Sequence, residues 1–416
     1  AWSYAVRPLC DSSVFDIRRP GGTMIIGIPT EILERERRVA ALPDEVAGYV
    51  EMGFDVLVQA GAGAGALHSD AEYAAAGARI VPDAGAVFSQ ADIVLKVKQP
   101  HFNSELGRHE ADMIREGATL ITFLHPAAPA NHSMIRTLRD RGVTSLTMDS
   151  IPRIPRAIGM DALSSMSLVT GYKSVILAAA SLPRFVTAFE TPIGTTQPAE
   201  FLIIGAGVVG MHAIMTAKGL GAVVKVADIR ETAQAEAARL GAEVVGFDIP
   251  QDVAIGEGGY AGALPADWLE RAREALVPLV KTADVIITSA LVPGEVAPVL
   301  ITADMVASMR AGSVIVDVAV DQGGNCAVTV PAQEVVSHGV TVMGYINIPG
   351  SVPVHSSWLY AKNMLAFVRN MFKEGPGTPD WDDEIVRHAL VTREREIVHA
   401  GALHAMGDHE RKGTAR

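Results

Sequence analysis

The chain has 416 residues, 49% of them hydrophobic and 5% aromatic, which is enough for two or three domains built on parallel sheets of small aliphatic residues. The formal net charge of −12 argues against nucleic acid or an anionic membrane as a partner, and no run of about 18 apolar residues predicts a membrane span. With only two cysteines, Cys10 and Cys326, we expect no disulfide framework, no metal site and a cytoplasmic protein.

The first 23 residues have no apolar core of the kind found in signal peptides, and we interpret them as an N-terminal extension without fold content. From Met24 onward, short apolar runs alternate with stretches of helical periodicity, which is typical of a doubly wound parallel sheet. The segment 151–156 contains two prolines and predicts the crossing into a second domain. The apolar runs of the first sheet are 25–28, 56–59, 80–81, 93–97, 120–124 and 145–148.

The second half of the chain repeats this alternation after a long Ala-rich helix, predicted over 164–189 with a kink at Pro183. The Gly-rich and polar segment 247–268 predicts a surface loop, and the pattern of 358–372 predicts a helix that returns the chain to the first domain. The apolar runs of the second sheet are 201–204, 223–227, 244–245, 285–288, 314–320 and 340–343.

One segment predicts a dinucleotide site. A strand leads into G-A-G-V-V-G, which opens a helix, and a second strand then ends at an acidic residue. Gly205 permits the tight turn, Gly207 lets the backbone approach a pyrophosphate, and Gly210 allows close packing of helix on sheet. Asp228 would accept hydrogen bonds from ribose hydroxyls and repel a 2′-phosphate, which favours NAD over NADP, although Arg230 beside it can accommodate NADP.

Four reactive side chains follow apolar runs, at the carboxyl ends of predicted strands, where open parallel sheets bind ligands. Arg38 can bind a carboxylate, Lys98 can polarise a carbonyl or imine, His125 can exchange protons near neutral pH, and Asp321 can stabilise developing positive charge. Each also has a structural interpretation. Arg38 can belong to a solvated charge run, and Lys98 can share a wet strand face with Lys96, two residues before it. His125 can have a structural hydrogen-bonding role, and Asp321 can form a turn.

Together these motifs resemble the alanine dehydrogenase/NAD(P) transhydrogenase alpha-subunit superfamily over residues 24–400. The resemblance implies two Rossmann-like domains around a cleft, one formed by 24–160 and 358–416 and the other by 161–357. It also implies a homo-oligomer. The segments that carry it are MIIGIPTEILERERRVAALP, VLVQAGAGAGALHSDAEY, ADIVLKVKQP, FLIIGAGVVG, SALVPGEVAPVLIT and GSVIVDVAVDQGGN.

The chain combines features of both branches. The MDALSS segment, the insertion with Tyr260 and the tail VTREREIVHAGAL resemble the transhydrogenase subunit. Arg153 and Asp161 match the Arg and Asp of that branch's hydride-transfer loop, but Ile158 stands where the branch has Gln. An apolar Ile158 cannot make the polar bridge to a second nucleotide-binding domain.

The dehydrogenase branch is matched at the substrate site by the KVK, FLH and VDQGG segments. By that resemblance Arg38 and Lys98 bind the substrate, His125 is the acid/base and Asp321 supports them. Our primary hypothesis is an NAD-dependent oxidoreductase acting on a small 2-amino or 2-oxo acid. The alternatives are the NAD(H)-binding alpha subunit of a proton-translocating transhydrogenase, which works with membrane subunits, and a dinucleotide sensor without catalysis. The further residues expected to contact the cofactor by resemblance are Ser164, Leu291 in the 291–294 turn, and Asn347.

Overall fold

The computed structural model of the chain describes residues 23–256, 261–292 and 296–407. Two mainly parallel sheets with helices packed on them form the two halves of the molecule. The predicted α/β class with two doubly wound sheets is therefore confirmed. Most of the predicted N-terminal extension, and Tyr260 of the Gly-rich insertion, lie outside the described residues.

The first sheet has eight strands within the described residues, and six of them are parallel. An antiparallel pair from the C-terminal region of the chain completes one edge. The sequence interpretation missed this pair, because the apolar run that contains it is short and begins as a helix. The order across the sheet is Glu396–Ile397, Leu390–Arg393, Thr144–Thr147, Thr119–Thr122, Ile93–Leu95, Ile25–Ile28, Asp55–Gln59 and Arg79–Val81.

The second sheet has seven strands within the described residues, six of them parallel and one antiparallel at the edge. In both sheets the strand order reverses beside the first strand, and such a reversal opens a crevice at the carboxyl ends where ligands bind. The order across the sheet is Glu243–Val244, Val223–Ala227, Glu200–Ile204, Val285–Thr288, Val314–Asp317, Val340–Met343 and Glu334–Ser337.

The helices connect successive strands and cover the sheets. Two short hairpins, Phe102–Asn103 with Arg108–His109 and Glu190–Thr191 with Gly194–Thr195, project from the connections. The α-helices are Pro43–Glu51, Asp70–Ala75, Ala84–Gln90, Glu110–Met113, His132–Asp140, Ala162–Ser181, Val208–Gly219, Glu231–Arg239, Gln251–Ala254, Ala266–Thr282, Ala303–Ser308, Pro353–Met371, Glu384–Ala389 and Ala400–Ala405.

The helix Pro353–Met371 returns the chain to the first half, as its sequence pattern predicts. Its residues Tyr360, Met364 and Phe367 are buried in the same hydrophobic cluster as Ile26 of the first sheet. The Tyr360 hydroxyl also donates a hydrogen bond to the Lys96 carbonyl at 2.7 Å. The exact domain boundaries stay a prediction, but this packing shows that the first half is built from both ends of the described chain.

The helix Ala162–Ser181 lies between the two halves and packs against Val208–Gly219 and Pro353–Met371. It is long and apolar enough to cross a membrane, with a mean hydropathy of 1.2. One such helix is only weak evidence of a membrane span, because core helices of soluble proteins meet the same criterion. At Gly171 a Cβ atom would lie 2.3 Å from the Val209 carbonyl oxygen. This helix is therefore an internal packing element of the fold.

The helix predicted over 164–189 is shorter than expected. It begins at Ala162 and ends at Ser181, because the residue before Pro183 is disfavoured in helical conformation and Leu182 is extended. The predicted surface loop 247–268 contains the short helix Gln251–Ala254 and the start of Ala266–Thr282.

The three glycines of the G-A-G-V-V-G segment have different backbone environments. Gly205 has a φ of +93°, in the left-handed region that favours glycine. A Cβ atom at Gly207 would meet nothing within 4 Å, so this side of the loop is open. A Cβ atom at Gly210 would lie 1.9 Å from the Gly205 carbonyl oxygen, so the helix Val208–Gly219 sits against the turn that precedes it.

We expect the substitution Gly210→Ala to destabilise the protein by about 1–3 kcal/mol, because the added methyl group must push the helix away from the turn. The matched control is Gly219→Ala, at the end of the same helix, where a Cβ atom meets nothing within 4 Å. Alanine there should be neutral or stabilising by up to about 1 kcal/mol. Urea unfolding followed by circular dichroism measures both, and equal stability of the two variants would contradict the packing argument.

Candidate functional site

The structure brings the four predicted catalytic side chains into one electrostatically coupled cluster. The charge of Arg38 acts on Lys98, and the charges of Lys98 and His125 both act on Asp321. Arg38, Lys98 and His125 come from the first half of the molecule, and Asp321 comes from the second. The cluster therefore lies where the crevices of the two sheets face each other.

Arg38 is buried and holds its own carboxylate partner. Its Nε and Nη2 atoms donate to the two Glu36 carboxylate oxygens at 2.8 and 2.5 Å, and Nη2 also donates to Asn347 Oδ1 at 2.9 Å. Asn347 in turn donates from Nδ2 to Glu36 at 3.0 Å. Burial alone would raise the pKa of Glu36, but the hydrogen bonds and charge of Arg38 lower it. Asn347, expected at the cofactor, thus contacts the Arg38–Glu36 pair.

The remaining guanidinium nitrogen of Arg38 is oriented toward the helix between the two halves. Nη1 lies 3.0 Å from the Met166 sulfur, a weak acceptor. A carboxylate ligand would find Nη1 without a strong acceptor, whereas the bidentate face is already used by Glu36. The sequence interpretation missed Glu36 as a site residue, although its spacing of two from Arg38 was visible.

Lys98 lies next to a buried ion network formed by Lys96, Glu31 and Glu110. Glu31 accepts hydrogen bonds from the backbone N–H groups of Val97 and Lys98, and it lies 3.4 Å from the Lys96 ammonium nitrogen. Lys96 also pairs with Glu110 at 3.2 Å. Burial lowers the pKa of Lys98, and the positive charge of Arg38 lowers it further. The interpretation that Lys96 and Lys98 share a wet face is wrong, because Lys96 is fully buried.

His125 is held by an acidic residue from the neighbouring strand end. Its Nδ1 atom lies 2.9 Å from Asp149 Oδ1, and its backbone N–H donates to Asp149 Oδ2 at 2.7 Å. The backbone of His125 is left-handed, with a φ of +45°, and its ring stacks on Phe123. This arrangement fixes the imidazole through Nδ1 and leaves Nε2 as the atom that can exchange protons with a ligand.

Burial alone would raise the pKa of Asp149, but the charge of His125 and the hydrogen bonds from His125 and Thr147 lower it. Asp149 also accepts hydrogen bonds from the Thr147 hydroxyl at 2.5 Å and from the Leu124 N–H at 3.1 Å. Asp149 was missed in the sequence, where only its position after an apolar run marked it.

Asp321 lies in a short turn at the mouth of the cleft. The preceding strand ends at Asp317, earlier than predicted, and residues Val318–Gln322 form a 3-10 turn. Although much of Asp321 is exposed, the surrounding protein reduces the hydration of its carboxyl group and raises its pKa, and the charges of Lys98 and His125 act in the opposite direction.

The turn that carries Asp321 is fixed by a fully buried carboxylate, that of Asp317. Asp317 accepts hydrogen bonds from the Thr288 and Thr329 hydroxyls and from the backbone N–H groups of Ala319, Asn325 and Cys326. These donors satisfy a buried charge that has no cation beside it among the described residues.

The same turn is joined to the segment that contains Leu291. Asn325 exchanges hydrogen bonds with the backbone of Ala290, accepting at 3.0 Å and donating at 2.8 Å. Leu291 itself is half-buried, and residues 293–295, which overlap the predicted 291–294 turn, lie outside the described residues.

Where the strand order of the second sheet reverses, Asp228 is buried against the glycine loop. Its carboxylate accepts a hydrogen bond from the Ala206 N–H at 2.7 Å and is paired with Arg230. The helix Val208–Gly219 follows directly on Gly207, so its first N–H groups face the open side of the loop. Such a helix N-terminus binds anions through free N–H groups and its dipole.

A cavity of about 550 Å³ adjoins this helix N-terminus. Ser164 lines it, with its hydroxyl donating to Asp161 at 2.5 Å. Val208 of the glycine-loop helix and the 73% exposed Ile158 line it as well. The cavity therefore connects the glycine loop with the segment that follows the domain crossing.

Comparison with known proteins shows the family to which the chain belongs. Residues 27–170 match the family described as "Alanine dehydrogenase/PNT, N-terminal domain", and residues 174–400 match "Alanine dehydrogenase/PNT, C-terminal domain". The chain belongs to the alanine dehydrogenase/PNT family. This confirms the resemblance noted from the motifs.

Relatives from both branches of the alanine dehydrogenase/PNT family are similar to the chain. It is 42% identical over 380 residues to the first segment of the NAD(P) transhydrogenase alpha subunit of Rhodospirillum rubrum, covering 90% of this chain and 98% of that one. It is 33% identical over 391 residues to "Alanine dehydrogenase" of Halomonas elongata, covering 92% and 97%.

Solved structures of the alanine dehydrogenase/PNT family resemble the fold almost equally. The transhydrogenase from Sinorhizobium meliloti superposes with a TM-score of 0.79 at 34% identity, covering 90% of this chain and all of that one. An L-alanine dehydrogenase superposes with a TM-score of 0.77 at 30% identity, covering 92% and 99%. The fold alone does not separate the two branches, whereas the sequence identity is higher to the transhydrogenase alpha-subunit segment than to the alanine dehydrogenase.

We expect Lys96→Met to destabilise this family member by about 3–5 kcal/mol, because it leaves Glu31 and Glu110 as buried carboxylates without a cation. Chemical unfolding at about pH 7 measures the loss. The matched control is Lys225→Met, since Lys225 pairs with Glu200 at a partly exposed position and Glu200 keeps a hydrogen bond from the Thr282 hydroxyl. A loss at Lys96 no larger than that at Lys225 would contradict the network.

We expect the contribution of Asp149 to stability to depend on pH. Its pKa is lower in the folded protein than the unfolded value of about 3.9, so its stabilising effect is present above that value and is lost as the pH falls through the folded pKa. Asp149→Asn should therefore lower the melting temperature by several degrees near pH 7 and by progressively less below about pH 4. A deficit that is constant from pH 7 to pH 3 would contradict the charged pair.

Proposed function

We propose that the protein is the NAD(H)-binding alpha component of a proton-translocating NAD(P) transhydrogenase. The observation that carries this proposal is the extent of the similarity: 42% identity runs through 98% of the Rhodospirillum rubrum alpha-subunit segment, against 33% identity to the alanine dehydrogenase. This reverses the order of our sequence hypotheses, because whole-chain identity outweighs a few side chains at the substrate site.

The residues of the second half fit a bound NAD. The open side of Gly207 and the N-terminus of Val208–Gly219 suit its pyrophosphate, and buried Asp228 lies where the second strand ends, at the position that binds a ribose. When bound, NAD supplies the carbon that accepts or releases hydride. The chain holds the nucleotide, and the cavity lined by Ser164 and Ile158 opens beside the glycine loop.

In this function the hydride partner is a second nucleotide held by another subunit, and the complex works at a membrane through its other subunits. The chain itself would be a cytoplasmic component. Ile158, exposed at the edge of the cavity, gives that partner an apolar contact in place of the polar bridge expected from Gln. Self-association of the chain remains an expectation from the resemblance.

One observation favours a second function, an NAD-dependent dehydrogenase of a small 2-amino or 2-oxo acid. The cluster holds the groups that this chemistry requires in one cleft: Lys98 with a lowered pKa, His125 oriented by Asp149, and Asp321 within electrostatic reach of both. His125 would exchange a proton at Nε2 with the substrate amine or hydroxyl. Lys98 and Nη1 of Arg38 would hold the carboxylate.

The two functions differ in what the isolated chain does. We expect the purified protein to bind NADH, seen as a change in nucleotide fluorescence, and to show no oxidation of NADH with ammonia and a panel of 2-oxo acids. Added to the NADP-binding and membrane components of a transhydrogenase, it should support reduction of an NADP analogue by NADH.

The same assay contains the result that would reverse the proposal. Turnover by the chain alone, lost by a factor of roughly 10²–10⁴ in His125→Ala but kept in the control His388→Ala, would establish the dehydrogenase. His388 is a suitable control because it is exposed on a surface helix and its Nδ1 contacts a helix carbonyl.

A further inference from the structure

The segment 152–161, which borders the cavity, contains a 3-10 turn with a buried and an exposed side. The turn spans Pro155–Met160. Ala157 and Met160 are buried in the core cluster of the first half, whereas Ile158 between them is 73% exposed. The turn therefore presents one apolar side chain at the cavity edge while its neighbours pack into the core.

On the N-terminal side of Ile158, Arg156 joins this turn to the C-terminal part of the chain. Its Nη1 atom donates hydrogen bonds to Asp383 Oδ2 at 2.7 Å and to Asn370 Oδ1 at 2.9 Å. Both partners lie more than 200 residues further along the chain. The Arg156 side chain is 48% exposed and that of Asp383 is 5% exposed, so the contact links an accessible cation to a buried carboxylate.

Asp383 keeps a fixed position without help from Arg156. Its Oδ1 atom accepts hydrogen bonds from Asn370 Nδ2 at 2.9 Å and from backbone N–H groups at the start of the helix Glu384–Ala389. Its Oδ2 atom also lies 3.5 Å from the Lys373 ammonium nitrogen. Removing the Arg156 side chain therefore frees the turn but leaves its anchor in place.

On the C-terminal side of Ile158, a second contact comes from the returning helix Pro353–Met371. Asn363 of this helix donates from Nδ2 to the Gly159 carbonyl oxygen at 2.9 Å. The two contacts thus flank Ile158, and both depend on the C-terminal part of the chain. This second contact and the buried side of the turn keep the segment folded when the Arg156 contact is removed.

We propose that Arg156, through its contact with Asp383, positions Ile158 for docking of the subunit that holds the second nucleotide. This rests on the proposed function, because it requires such a subunit. Arg156 does not line the cavity, so it acts through the turn as a positioning residue. An exposed side chain on a held turn has less conformational freedom to lose on docking, and this pre-ordering strengthens association.

The first measurement is hydrogen exchange of the backbone amides of 153–161, followed by mass spectrometry of the full chain. In Arg156→Ala we expect these amides to exchange roughly threefold to tenfold faster, because one of the two contacts that flank Ile158 is lost. Arg156→Lys keeps a cation within reach of Asp383 and should stay near the unaltered protein. The matched control is Lys373→Ala, which removes a similarly exposed cation from the same carboxylate and should leave this exchange unchanged.

The second measurement separates positioning from nucleotide binding. In fluorescence titrations of the chain alone, the NADH affinity of every variant should stay within about twofold of the unaltered protein, because the glycine loop is untouched. With the NADP-binding and membrane components added, the amount of chain needed for half-maximal reduction of an NADP analogue should rise roughly threefold to tenfold in Arg156→Ala. It should stay unchanged in Arg156→Lys and Lys373→Ala.

Three results would overturn the proposal. Unchanged exchange in Arg156→Ala would show that the contact does not hold the turn, and equal acceleration in Lys373→Ala would assign the effect to Asp383 and its helix. Faster exchange with an unchanged requirement for the chain would show that the partner does not depend on the order of the turn. Failure of the unaltered protein to support reduction is a different result, because it refutes the proposed function while the exchange measurement still decides whether Arg156 holds the turn.

Discussion

Asn347 joins the second half of the molecule to a buried ion pair of the first half, that of Arg38 with Glu36, from more than 300 residues further along the chain. Buried charges are tolerated only when their hydrogen-bonding positions are satisfied, and here the asparagine both donates and accepts. Asn347 adopts a left-handed backbone, with a φ of 52°, which asparagine tolerates better than most residues. The cleft is therefore built around a fixed contact between the loop after the strand Ile25–Ile28 and the segment after the strand Val340–Met343.

The two lysines near the cleft also follow the rule that buried charges need partners, and the more deeply buried lysine is the more fully paired. Lys96 is fully buried between Glu31 and Glu110, and it is matched by carboxylates on both sides. Lys98, two residues on, is only half-buried, and it is the group whose pKa is lowered. The paired charges hold the backbone of the strand end, and the less compensated charge, that of Lys98, is the one that we propose contacts a ligand.

The sequence predicted what depends on local pattern. The parallel strands, the glycine turn and the returning helix followed from periodicity and from Gly and Pro positions, whereas the antiparallel edge strands did not. The burial of Lys96 did not, because alternation suggests a wet face only when one side of a sheet meets solvent, and this sheet is covered on both sides. Asp149 was also missed, since its partner His125 lies 24 residues away on the neighbouring strand. Contacts across parallel strands leave no fixed spacing in the sequence.

The side chains of the cleft and the sequence identity of the chain favour different functions. The cluster of Lys98, His125 and Asp321 contains the groups that we propose for acid/base chemistry, whereas the sequence identity, over about 90% of the chain, is higher to the transhydrogenase subunit. Both kinds of protein share one fold, so the fold alone does not decide between the two reactions. What would distinguish them is the hydride partner: a small acid held by the cluster, or a second nucleotide that docks at the cavity edge near Ile158.

A crystal structure of the protein with NADH bound is the most direct test of the nucleotide site in the cleft. We expect the pyrophosphate over Gly207 at the start of the helix Val208–Gly219, with the nicotinamide end directed into the cleft between the two halves. A nucleotide bound away from this turn, or one whose nicotinamide end points to solvent outside the cleft, would contradict this assignment.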